Sequence, residues 1–136
     1  MTKLNKQTKL WFWLLLLAAG LSALFMLSAF QMFTGEHTKL IIQRLTGLNE
    51  DGSYMANAIA RKAAHVMIFG LLALLLYKVF RQPKLWYAWL CTVLLAVLDE
   101  WHQTFVPGRS PSVRDIVLDS AAALIILTGT VLWRRR

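Results

Sequence analysis

The side chains able to do chemistry gather in the second half of the chain, and their spacing follows a helix. Arg61 and Lys62 stand four and three residues before His65, Asp99 shares a helical face with His102 and Gln103, and Asp115 stands four residues before Asp119. Arg61, Lys62, Arg109 and Arg114 suit a phosphate or carboxylate. His65, His102, Asp99 and Glu100 can take up and release protons, histidine near neutrality. Two histidines beside carboxylates also raise a divalent metal, but no HExxH-like spacing occurs, so no metal site is expected, and no cofactor either. Nucleophile-elbow, Walker A and paired CxxC patterns are missing. Cys91 is the single cysteine, which excludes an internal disulfide and a cysteine-based zinc cage. The alternative to a working site is a polar network that only fixes helix packing.

The elements that must hold these groups are membrane helices. Apolar residues make up 57% of the chain and charged residues 16%, against about 45–50% and ~25% in soluble domains. That excludes an ordinary soluble domain and leaves too much apolar surface for disorder. The run from Leu10 to Phe33 carries no charge. It exceeds the roughly 20 residues a spanning helix needs and the ~7–15 of a signal-peptide core. The expected fold is all-α: a bundle of four transmembrane helices at about 10–33, 61–80, 85–106 and 114–133, in one domain covering 1–136. The third span reaches membrane length only by running on through Asp99–Val106 to the Pro107-Gly108 stop. Between the first two spans, Leu40, Ile41, Ile42, Leu45 and Leu48 form one face of a short helix expected to lie in the interface.

Charge orients the bundle. With four spans, Lys3, Lys6, Lys9, Lys78, Arg81, Lys84 and Arg134–Arg136 fall on the side of the termini, which places both termini in the cytoplasm. The net charge of +8 is then a consequence of orientation, and no nucleic-acid partner is expected. All seven acidic residues fall on the opposite side. Counted from the cytoplasmic edge, His65, Asp99 and Asp119 lie at about 20, 21 and 22 Å. Ionisable groups at that depth turn away from lipid. The expectation is an outward-open polar pocket lined by the second, third and fourth spans. It would be built from Arg61, Lys62, His65, Asp99, Glu100, His102, Gln103, Arg109, Arg114, Asp115 and Asp119.

The run Asp99-Glu100-Trp101-His102-Gln103-Thr104-Phe105, the Pro107-Gly108-Arg109 turn and Asp115 together resemble the signature of VanZ-like membrane proteins. Upstream, Lys62-x-x-His65-x-x-x-Phe69 is similar to that family's K-x-x-H-x-x-x-F. Two positions depart from the pattern: Asp119 stands where the family usually has Asn, and Ala122 where it usually has Gly. The resemblance implies a bacterial multi-pass membrane protein of the cell envelope, in a family named for resistance to the glycopeptide teicoplanin. Three functions are compatible with the residues. The first is binding or modulation of an anionic lipid or lipid-linked envelope component. The second is a membrane enzyme acting on a lipid-linked or phosphate-bearing substrate, with His102, Glu100 and Asp99 as its catalytic groups. The third is a structural or partner-binding role. Membrane lipids are the expected surroundings, with room for a homo-oligomer.

Overall fold

A computed structural model of the chain describes residues 5–29, 35–80, 85–107, 109 and 111–136. Among them are five helices and no strand: α1 Lys6–Ala29, α2 Gly35–Thr46, α3 Glu50–Val79, α4 Leu85–Gln103 and α5 Val113–Arg134. Lys3, Arg81, Lys84, Gly108 and the end of the first apolar run lie outside the described residues.

The largest departure from the sequence reading is at α3. Its 30 residues begin at Glu50, eleven positions before the expected start at Arg61. Hydropathy hid this turn-rich beginning, because Glu50, Asp51, Ser53 and Asn57 are polar. The local chemistry nevertheless specifies a helix start. Asn49 is extended (φ −65°, ψ 173°), and its side-chain oxygen accepts the Gly52 N–H at 2.9 Å. Glu50 and Asp51 place negative charge on the first turn. Just upstream, Gly47 takes φ +69° after α2, the left-handed position that ends many helices. The expected long connection is therefore a tight helical hairpin of α2 and α3. Its bend is clamped by Lys39 Nζ to Glu50 Oε1 at 2.7 Å. Leu40, Ile41 and Leu45 of α2 remain about half exposed or more.

α4 stops at Gln103, short of the expected Val106. The next three N–H groups, of Thr104, Phe105 and Val106, turn back three residues to Trp101, His102 and Gln103. Such tightening satisfies end carbonyls before a proline. α5 opens on Ser112, whose Oγ accepts the Arg114 N–H at 3.2 Å. Three helices among the described residues are long and apolar enough to cross a membrane, within Lys6–Met26, Glu50–Val79 and Val113–Arg134. α4 is not one of them, because its last turns carry Asp99, Glu100, His102 and Gln103.

α3 is the central element and packs against all four others. One half of the core joins Ala73, Leu76, Ala88, Ala123 and Leu127; the other joins Leu24, Phe69, Leu72 and Ala96. Small residues bring the backbones close. A Cβ added at Gly70 would run into the Ile126 side chain of α5. Cations collect at the end away from the acids: Lys78 Nζ sits 5.4 Å over the Trp13 ring and the Arg134 guanidinium 5.7 Å over Tyr77. Outward-facing Trp11, Leu15, Met67, Leu94 and Ile125 are each more than half exposed, an apolar exterior fit for lipid.

Candidate functional site

The site is built around His65, on the face of α3 that turns inward between α1, α4 and α5. His65 Nδ1 lies 3.4 Å from Asp119 Oδ2 of α5 and 4.0 Å from Asp99 Oδ2 of α4. Both aspartates are 1% exposed. Asp99 is further held by two donors. Ser28 Oγ of α1 donates to its Oδ1, and Gln103 Nε2, one turn on in α4, donates to its Oδ2 at 2.7 Å. Three helices, α1, α3 and α4, thus meet at one carboxylate. Asp119 is less completely satisfied: its Oδ1 is buried with no hydrogen-bond partner among the described residues. Burying two carboxylates is costly unless partners surround them. The imidazole stands between them with its Nδ1 buried and without a hydrogen-bond partner among the described residues, and it leans on the ring of Phe69 at 6.0 Å.

His65 also lines a cavity of about 160 Å³. Its other polar walls are Arg61 on α3, Arg109 from the α4–α5 turn, Ser28 on α1 and Thr38 on α2. Leu24, Ala64 and Ile68 supply apolar walls. This cavity is not placed between the second, third and fourth spans. It lies among α1, α2, α3 and Arg109, while Asp99 of α4 and Asp119 of α5 stand at the Nδ1 edge of His65. The cause is the helical hairpin, which swings α2 over the α1–α3 groove. Arg61 Nε is buried without a hydrogen-bond partner among the described residues. Burial first, and then the like charge of Arg61, push the Arg109 guanidinium below its ordinary pKa range, although an arginine stays charged. The charges of Asp99 and Glu100 act on Arg109 in the opposite sense, so part of its charge is balanced within the protein.

The remaining predicted residues take other places. Lys62 Nζ pairs with Asp115 Oδ1 at 3.0 Å on the outside of the α3–α5 contact. Glu100 Oε2 accepts the Ser112 N–H at 2.7 Å, tying α4 to the start of α5. The His102 ring sits edge-on to Phe25 of α1, with centroids 5.6 Å apart. Arg114 is exposed, and Gln103 serves Asp99 rather than the cavity. None of these six lines the cavity. Sequence reasoning missed Ser28, Leu24 and Thr38. The run Leu10–Phe33 offered both Ser22 and Ser28 as polar positions; only packing decided that Ser22 is exposed and Ser28 buried.

Among the described residues no group of three or more His, Cys, Asp or Glu side chains has the arrangement to hold a metal ion. No curated protein and no solved structure matches the chain. A sequence model described as VanZ/LLP1 matches residues 10–134, from the first helix to the last. The residues that carry the resemblance, Lys62, His65 and the run from Asp99 to Asp115, converge on one end of this bundle, and the chain belongs to the VanZ/LLP1 family.

Proposed function

We propose that this membrane protein binds an anionic headgroup, of a lipid or a lipid-linked envelope component, in the cavity among α1, α2 and α3. The observation that carries this reading is the convergence of Arg61, Arg109 and His65 on a cavity whose other walls are largely apolar. Such a lining matches an amphiphile, with guanidinium forks for the anion and aliphatic side chains for the first part of its tail. Asp99 and Asp119 hold the imidazole in place and balance the local positive charge. α4 serves as a fourth span, its polar end carrying the site. Both termini lie in the cytoplasm of a bacterial cell, so the cavity opens toward the outer leaflet. Altering the supply or exposure of an envelope lipid at that leaflet would connect the family to teicoplanin, itself a lipid-bearing glycopeptide.

Lipids that co-purify in mild detergent test this reading. Wild type is expected to retain anionic lipid, and the Arg61→Ala/Arg109→Ala double variant to retain at least tenfold less, roughly the value of one charge-assisted hydrogen bond. Equal retention by equally folded proteins would exclude the cavity as the lipid site. In a sensitive host, teicoplanin and vancomycin susceptibility with wild type and the double variant at equal membrane abundance tests the resistance link. Protection against teicoplanin by wild type alone is the expected result.

A second reading, catalysis on the bound lipid, draws on one observation. The Nδ1 edge of His65 faces two carboxylates, an arrangement that orients a general base and leaves Nε2 for a substrate. Its acid–base residue would be His65, since His102 is turned to Phe25. Chemical change of a bound lipid by wild type, lost in His65→Gln while binding persists, would establish it.

A further inference from the structure

We infer that the hairpin of α2 and the first turns of α3 is immersed in the interfacial layer of the bilayer, with lipid covering its exposed face; this stands apart from what the cavity binds. The first observation is an inverted distribution of side chains. Leu40, Ile41, Leu45 and Leu48 on the α2 side and Tyr54, Met55 and Ile59 on the α3 side are exposed, Leu45 at 81%. The groups turned inward are polar. Ser53 and Asn57 are buried, Thr38 and Gln43 are half-buried, and the Lys39 side chain is 13% exposed. Ile42, which the sequence groups with the apolar face, is half-buried among them. A helical hairpin in water does the reverse, with its apolar stripe against the partner and its charges outside. Apolar outside and polar between the helices suits surroundings as apolar as leucine. Two of the inward groups are satisfied inside the hairpin: Ser53 Oγ donates to the Leu48 carbonyl at 3.4 Å, and Lys39 Nζ meets Glu50 Oε1 at 2.7 Å.

The second observation is continuity. Side chains four apart form a ridge along a helix. On α3 the ridge Met55, Ile59, Ala63, Met67 and Leu71 is exposed throughout and carries no charge. Met67 and Leu71 belong to the apolar exterior that faces lipid, and the same ridge carries that surface up into the hairpin. A patch made for a protein partner is bounded by a polar rim. No such rim separates the hairpin from the spanning part along this ridge, which favours lipid over a second copy of the chain. Among the described residues, the exposed charges of the hairpin, Arg44, Glu50 and Asp51, stand at the bend or within one turn of it, where they reach water. The length of α3 agrees. Its 30 residues rise about 45 Å, close to the ~40–45 Å of a bilayer with its headgroup layers. An amphipathic helix at headgroup depth buries its apolar face at the acyl boundary.

The experiment uses the full-length chain with Cys91→Ser, which removes its single cysteine, reconstituted in vesicles of phosphatidylcholine and phosphatidylglycerol. Nitroxide labels are attached one at a time through Ile41→Cys, Leu45→Cys and Met55→Cys. Met67→Cys is the lipid-facing reference, and Asp51→Cys, exposed beside the bend, is the water reference. Each label is read by its access to oxygen, which concentrates in lipid, and to a water-soluble nickel chelate. The labels replacing Ile41, Leu45 and Met55 are expected to shift toward oxygen, away from the Asp51 reference and toward the Met67 reference. Nickel access equal to that of the Asp51 reference would overturn the inference and put the hairpin in water. Low access to both reagents would overturn it in favour of a protein partner, and dipolar broadening that disappears on dilution with unlabelled protein would identify that partner as a second copy. Leu45 and Met55 lie on different arms of the hairpin, so if one variant fails to fold the other decides. None of these outcomes touches the headgroup reading, which the Arg61 and Arg109 variants test separately.

Discussion

Asp99 carries more of the buried polar structure than any neighbour, because Ser28, Gln103 and His65 all turn to it. Its removal leaves two buried donors without an acceptor, so Asp99→Ala should cost about 1–3 kcal/mol for each group left unsatisfied. Lys62→Ala removes a pair whose lysine is 55% exposed and should cost less than about 1 kcal/mol. Thermal unfolding of the two variants in one detergent measures the difference. A Lys62 variant that loses as much as the Asp99 variant would contradict this assignment of roles. The buried Oδ1 of Asp119 has no hydrogen-bond partner among the described residues. Asp119→Asn keeps the shape and removes one of two adjacent buried carboxylates. It should leave the unfolding midpoint unchanged or raise it, and a fall of several degrees would show that the second carboxylate is needed beside His65.

Among elements, the α4–α5 turn and the α3–α5 contact decide whether the site holds together. Glu100 is one of the few charged residues that is nearly buried (6% exposed), and its partner is a backbone N–H, that of Ser112. It therefore braces the turn that carries Arg109. Glu100→Ala should speed hydrogen exchange of the Ser112 amide and the first turn of α5, with α3 exchange unchanged. Uniform acceleration through all helices would instead mean a general loss of stability. At the crossing of α3 and α5, a Cβ at Gly70 would displace the Cδ1 end of the Ile126 side chain. Gly70→Val should lower the unfolding midpoint more than Gly70→Ala does, and Ile126→Ala should recover part of the loss. The recovery, read as a double-mutant cycle, is the check. A Gly70→Val change that costs nothing would mean that the Ile126 side chain swings aside without loss of packing.

At the scale of the whole molecule, acids lie at one end of the bundle and cations over aromatic rings at the other, with an apolar exterior between them. Reporter fusions at residue 136 and in the α2–α3 bend test the proposed orientation. The first should read cytoplasmic and the second external, and the reverse result would move the cavity to the inner leaflet. α3 is about 45 Å long at its 30 residues, longer than the ~30 Å hydrocarbon core. α2, hairpinned onto its first turns, contributes Thr38 to the wall of the cavity.

How much of this was legible beforehand differs from feature to feature. The helical class, the long apolar segments and the grouping of His65, Asp99 and Asp119 at one depth were readable from the order of residues. Hydropathy and helical rise are properties of a single segment, and ionisable groups in an apolar run have few places to go except inward. Stretches with mixed composition were misread: Asn49 to Ala60 looked like a loop because capping and polarity look alike without the helix they begin. Which polar groups touch was decided only in three dimensions. Nothing in the motif separates Glu100, which holds a backbone N–H, from Asp99, which accepts from two side chains, Ser28 and Gln103. Nothing in it removes His102 from the cavity and turns it to Phe25. Rotation of each helix about its axis makes those choices. That rotation is set by the packing of Gly70, Phe69, Leu72 and Ala96, whose contacts are distant in sequence and add up only once all the helices are in place.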